Sequence, residues 1–263
     1  VCGVDDAQGA DGSWTSSVNG NWSTAGNWAD GSIADGAGAN GWITNNIAAA
    51  RTVTIDGAVA SRTLGILNIG DADGSSSFFL AANNGATLTF DNNGAIAQLN
   101  QAAASTNNTI SSSLGLADSL DIGNGSSFLL AITGPITSGV AGARTIANKG
   151  AGTGGVAISG VLGDGAGTVS VVQNSSASLL TLSNTNIYSG DTIVSNGTLK
   201  LGIANAIPVG TGKGNVVVNG TLDMTGYSAA INGLSGTGTV VDNSVSGTRI
   251  LTVGGNDQTS VFY

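Results

Sequence analysis

Asp71 and Asp73, in the run Asp71-Ala72-Asp73-Gly74, are the residues best suited by type and spacing to hold an ion. Alternating oxygen ligands before a glycine turn suit Ca²⁺, although the Glu that closes an EF-hand loop is missing. A plain polar turn uses the same residues, so no cofactor is required and calcium is the one ion they suggest. A second constellation is aromatic: Trp14, Trp22 and Trp28 fall close together, with Trp42 soon after. Indole faces of this kind either stack on the sugar rings of a glycan or cover the exposed end of a repetitive fold. A third is the final run Val261-Phe262-Tyr263, which reads as the start of a strand able to meet another molecule.

The search for catalysis is mostly negative. The chain has no histidine, which removes the commonest general base and any Ser-His-Asp arrangement. No Gly-Lys-Ser/Thr phosphate loop occurs. The aspartates are scattered through Asp-Gly and Gly-Asp turns. Arg51, Arg62, Arg144 and Lys149 show no acidic companions at a legible spacing, so the paired carboxylates of a polysaccharide-cleaving enzyme are not apparent. The single cysteine, Cys2, permits no intrachain disulfide. The expectation is a protein that is not an enzyme.

Composition narrows the partners. All 16 acidic side chains are Asp, against seven basic ones, for a net charge of −9. Without a basic patch the chain cannot neutralise a row of phosphates, which excludes nucleic acid, and it is not drawn to anionic lipid. No apolar run approaches the roughly 20 residues of a membrane helix. The chain opens on Val with no basic-apolar leader, which fits a mature, processed protein or a fragment. The expected location is secreted, extracellular or on the outer cell surface.

The elements that must position these residues are strands. Short β-branched and aliphatic runs end in Gly, Asn or Asp, as in Thr52-Val53-Thr54-Ile55 before Asp56-Gly57 and Asn215-Val216-Val217-Val218 before Asn219-Gly220. Asn196-Gly197-Thr198-Leu199-Lys200 recurs as Asn219-Gly220-Thr221-Leu222-Asp223, with a looser copy at Asn84-Gly85-Ala86-Thr87-Leu88. Leu67-Asn68-Ile69-Gly70 recurs as Leu120-Asp121-Ile122-Gly123, an offset that reads as two rungs plus a loop. A repeat of about 23 residues with three short strands is one rung of a parallel β-solenoid. It implies about 11 or 12 rungs, a thin aliphatic interior with little room for large aromatics, and inward Asn side chains stacked in ladders. The Gly-rich run from Gly150 to Gly155 reads as a corner.

Residues 179–253 resemble the autotransporter-associated β-strand repeat of secreted bacterial proteins. The likeness lies in Leu179-Leu180-Thr181-Leu182-Ser183-Asn184-Thr185-Asn186-Ile187-Tyr188-Ser189-Gly190-Asp191-Thr192 and Val194-Ser195-Asn196-Gly197-Thr198-Leu199. It continues in Val217-Val218-Asn219-Gly220-Thr221-Leu222-Asp223 and Leu234-Ser235-Gly236-Thr237-Gly238. The family's usual Thr-Tyr-Ser-Gly-Gly reads Ile187-Tyr188-Ser189-Gly190-Asp191 here. Asp11-Gly12-Ser13-Trp14 with Gly20-Asn21-Trp22 through Trp28 resembles the opening of large proteins that carry such repeats. The resemblance implies a right-handed parallel β-helix passenger without catalytic residues.

The fold expected is all-β: an N-terminal Trp-rich cap over 1–50 and a right-handed parallel β-helix over 51–263. The function expected is an extracellular stalk, coat or filament subunit, self-associating end to end through open strands at Phe262 and Tyr263. The alternative is an adhesin whose tryptophans contact extracellular glycans.

Overall fold

Strand after strand, the burial alternates with the two-residue period of a pleated chain. Ala97–Gln101, Leu120–Asn124 and Thr168–Asn174 each turn every second side chain inward. The computed structural model describes residues 9–56, 61–244 and 247–263; Cys2 and Gly57 lie outside them.

These strands wind into a parallel β-solenoid. Two long sheets hold ten strands each, one running from Gly12–Ser13 to Leu234–Ser235, the other from Gly20–Asn21 to Thr239–Val241. A third side carries a five-stranded sheet from Arg62–Leu64 to Leu162–Gly165, and a two-stranded one pairs Ala229–Ile231 with Leu251–Val253. Every pairing between named strands is parallel, with neighbours one rung apart, as in Leu130–Ile132 beside Val156–Ile158.

Ten strands make about nine turns, fewer than the 11 or 12 that a uniform 23-residue repeat implied. The rungs are unequal: Ile66 pairs with Gln98, 32 residues on, and Val216 with Leu234, 18 on. Where the repeat was read most directly it is the true register, because Thr198, Leu199 and Lys200 pair with Thr221, Leu222 and Asp223. The looser copy at Asn84 leads instead into Thr87–Phe90 on the third side. The Leu67 and Leu120 segments are two rungs apart, but Leu67 stacks through Leu99 onto Ile122. That two-residue displacement preserves which side chains face inward.

Val53, Leu80, Ile110, Ile132, Ile158, Leu182 and Leu201 form one continuous inward column through the second sheet. Burying such a side chain is worth about 1.5–3 kcal/mol, set against the entropy of ordering the chain. Large aromatics also enter the interior, contrary to the expectation from the sequence. Phe78, Phe90 and Tyr188 are buried, and the two phenylalanines belong to one of the longer rungs, the step that pairs Ile66 with Gln98.

At the corner joining the two long sheets the interior becomes polar. The Gln101 amide donates to Asn124 Oδ1 (3.1 Å), Asn108 donates to Gln101 Oε1 (3.0 Å), and Asn148 donates to Gln173 Oε1 (2.8 Å). All five are buried, and main-chain carbonyls such as Phe128 O, Gly155 O and Ser178 O take their remaining protons. Gly150–Gly155 forms the adjoining corner. A β-carbon on Gly152 would lie 2.2 Å from Ser126 O, so only glycine lets successive turns stack there.

Candidate functional site

The tryptophans come together. Trp14 meets Trp28 edge to face at 5.3 Å, and Trp22 lies 4.9 Å from Trp28. Each indole N–H donates to a carbonyl: Trp14 to Ser16 O, Trp22 to Ala34 O and Trp28 to Trp22 O. The three are 2%, 0% and 3% exposed. A sugar stacks on an open ring face, and these faces are covered by the cap's own packing. The segment from Ala25 to Asp35 closes the cap through isolated bridges Trp14–Trp28 and Ala10–Asp35.

Asp71 and Asp73 separate in role. Asp71 is fully buried, and its carboxylate accepts the Ile47 N–H (2.9 Å), the Ser76 N–H (2.9 Å) and the Ser75 hydroxyl (3.1 Å). Both oxygens are engaged in holding one rung's turn to the next. Asp73 is exposed, and a hydrogen bond from the Ser75 N–H (2.9 Å) holds its carboxyl below the ordinary carboxylate value. Among the described residues no three His, Cys, Asp or Glu side chains converge as a metal site.

Phe262 forms an isolated parallel bridge with Gly236, whose carbonyl accepts the Tyr263 N–H at 3.0 Å. This extends the first long sheet beyond Leu234–Ser235 while leaving Tyr263 86% exposed.

Two ion pairs went unread in the sequence. Arg62 Nη1 lies 2.7 Å from Asp35 Oδ2, and Lys149 Nζ lies 2.9 Å from Asp121 Oδ2. Their partners sit about one rung away, at spacings that unequal rungs conceal. The Lys149 pair lines a shallow outer groove of about 350 Å³ with Ser119, Thr145, Val172 and Asn174. A second groove, of about 330 Å³, holds Lys200, Thr198, Asp223 and Asn243. Burial raises the Asp223 carboxyl, but hydrogen bonds from the Asn243 side chain and the Thr225 and Asn243 N–H groups prevail and lower it. A carboxyl held below its ordinary value stays ionised near neutral pH and is a poor proton donor there.

The fold and these grooves define a parallel β-solenoid with a tryptophan-rich end. Comparison with protein-family models, curated proteins and solved structures finds no match to this chain.

Proposed function

We propose that this chain is a non-enzymatic structural segment of a secreted or cell-surface protein, serving as a stalk, coat or filament subunit. The observation that carries this reading is the unbroken stack of two ten-stranded parallel sheets leading away from the tryptophan cap. Nine steps at about 4.8 Å make a rod segment about 43 Å long. Its load is spread over backbone ladders and the buried amide corner rather than concentrated at one contact. The likeness of residues 179–253 to autotransporter-associated repeats supports an extracellular passenger.

End-to-end assembly would engage the last described strands, Thr239–Val241 and Leu251–Val253, with Ile250, Val253 and Val261 exposed near them. At the other end, backbone groups of Ala10, Trp14 and Thr15 are already engaged by the cap. Copies would therefore join through side chains of the cap rather than by simple strand addition there. An adhesin reading would rest on the outer groove beside Lys149, since the tryptophan faces are covered.

Electron microscopy of native secreted material, with antibody labelling of intact cells, tests the proposal. Rods of constant width at the cell surface or in fibres are expected. Label confined to the cell interior, or saturable turnover of a polysaccharide by the pure protein, would sink it.

A further inference from the structure

We propose that Asn196 is a self-modification site, its side-chain amide converted to aspartate and isoaspartate by attack of the Gly197 main-chain nitrogen. Asn196 ends the strand Thr192–Asn196 at a β-bulge, where Asn174 pairs with Asn196 after Gln173 has paired with Val194. Its side chain is exposed. The Gly197 N–H donates to Asn196 Oδ1 at 2.8 Å, which keeps the carboxamide folded back over the nitrogen that must attack it. Holding reacting atoms at contact distance is the main way a folded chain accelerates a reaction within itself.

Packing makes glycine obligatory at the second position. Gly197 has φ +68°, and a β-carbon there would stand 1.8 Å from Ser175 O. The stacking of turns thus demands the residue whose lack of a side chain leaves its nitrogen most accessible. Seven other Asn-Gly steps occur in the chain, and four of them are arranged differently. The glycine N–H donates to Asp118 Oδ2 after Asn93, to Gln101 O after Asn124, to Val194 O after Asn219 and to Asn215 Oδ1 after Asn232. In those four the nitrogen is bonded elsewhere.

The chemistry needs only water. The Gly197 amide gives its proton to solvent base and its nitrogen bonds to Asn196 Cγ. The carboxamide C–N bond then breaks, and ammonia leaves with a solvent proton. The resulting five-membered succinimide is opened by water at either carbonyl, giving aspartate or isoaspartate. The balance is one amide and one water converted to one carboxylic acid and one ammonia, with no redox change. The product adds one negative charge, and isoaspartate adds a methylene to the main chain where Thr198–Leu201 enters the second sheet. An extracellular rod that is not renewed would accumulate this mark with age.

The test is a time course of the intact protein in mildly alkaline buffer, read by peptide mass spectrometry with isoaspartate-specific labelling. The tryptic peptide between Lys149 and Lys200 should gain one mass unit at Asn196, several-fold faster than Asn93, Asn124, Asn219 or Asn232 convert. In the denatured chain that advantage should vanish. Asn196→Ser should remove the new acidic species while leaving the folded protein's circular dichroism unchanged. Conversion at Asn196 no faster than at the other four, or the same ranking in the denatured chain, would overturn the proposal.

Discussion

Between Arg62 and Gly165 the third side of the solenoid is a backbone ladder, five strands paired in parallel. From Asn186 onward asparagine side chains take over much of that role, beside one short strand pair, Ala229–Ile231 with Leu251–Val253. Asn186 Oδ1 accepts the Leu162 N–H (2.9 Å) while its amide donates to Ala206 O (2.8 Å). Asn232 accepts the Gly210 N–H (2.8 Å) and donates to the carbonyls of Gly210, Lys213 and Gly214. Tyr188 fills the interior between these rungs, its hydroxyl 2.7 Å from Thr192 Oγ1, and burial pushes its phenol well above the ordinary value. The two halves satisfy the same obligation, that buried main-chain groups find partners, by different means. A ladder depends on backbone geometry and tolerates many sequences. A side-chain clamp depends on particular residues and fails when one is removed.

The largest effect should come from the interior of the clamped half. Tyr188→Ala removes a fully buried aromatic and should cost about 3–5 kcal/mol, read as a lowered midpoint in urea unfolding. Because rungs interact with nearest neighbours, amides between Thr192 and Val218 should lose exchange protection before those between Ser113 and Ile158. Uniform loss along the rod would mean that the halves are not separable. Tyr188→Phe removes only the hydroxyl contact to Thr192 and should cost about 1 kcal/mol.

Next comes the clamp itself. Asn232→Ala removes a fully buried side chain that serves one N–H and several carbonyls in half-buried turns, and each such group left unsatisfied costs up to about 1–3 kcal/mol. Hydrogen exchange at Gly210, whose N–H that side chain holds, should report the loss directly. Its counterpart on the ladder, Thr137→Ala on an outward position of Ile136–Ser138, should stay within about 0.5 kcal/mol. Equal costs would break the comparison.

How much of this was legible beforehand follows the same division. The 23-residue step from Asn196 to Asn219 was visible because those rungs rely on particular residues that recur in sequence. The upstream rungs hid their register: nothing in Lys149 or Asp121 betrays a partner 28 positions away when neighbouring rungs differ in length. The tryptophans were legible as a cluster, but their burial follows from the cap's return segment, whose path no local pattern encodes. Asp71 looked like an ion ligand because a carboxylate that tethers a turn and one that binds calcium share the same residues and spacing. The three donors that engage it come from Ile47, Ser75 and Ser76, and only folding brings Ile47 alongside.

Acid should act where carboxylates clamp rungs together. Burial raises Asp56 and Asp164, but hydrogen bonds prevail: the Ser23 hydroxyl and N–H on Asp56, and the Val169 and Ser189 N–H groups on Asp164. Both carboxyls, like Asp223, therefore lie below the ordinary value of 3.8 in the folded protein. A depressed folded value contributes stability that is fully present above the unfolded value and lost as pH falls through the folded one. Thermal midpoints should hold from neutral pH down to about 5, then fall through the carboxylate range. Asp164→Asn should flatten that fall, and an unchanged acid limb would show that its carboxylate is not a clamp.

The smallest effect is expected at Lys149, on the outer face of the ladder half. Its ion pair with Asp121 has good geometry at 2.9 Å, but the two side chains are 44% and 26% exposed. Water screens the attraction and ordering two side chains offsets it, so Lys149→Ala should cost no more than about 0.5 kcal/mol, and less in high salt. Lys149→Ala and Asn232→Ala each remove one polar side chain that bridges rungs, yet the first bond lies over an intact backbone ladder and the second stands in for one. Thermal midpoints of the two variants, taken side by side at low and physiological salt, separate those roles. A Lys149→Ala loss as large as that of Asn232→Ala would show that side-chain bonds carry the rungs equally in both halves.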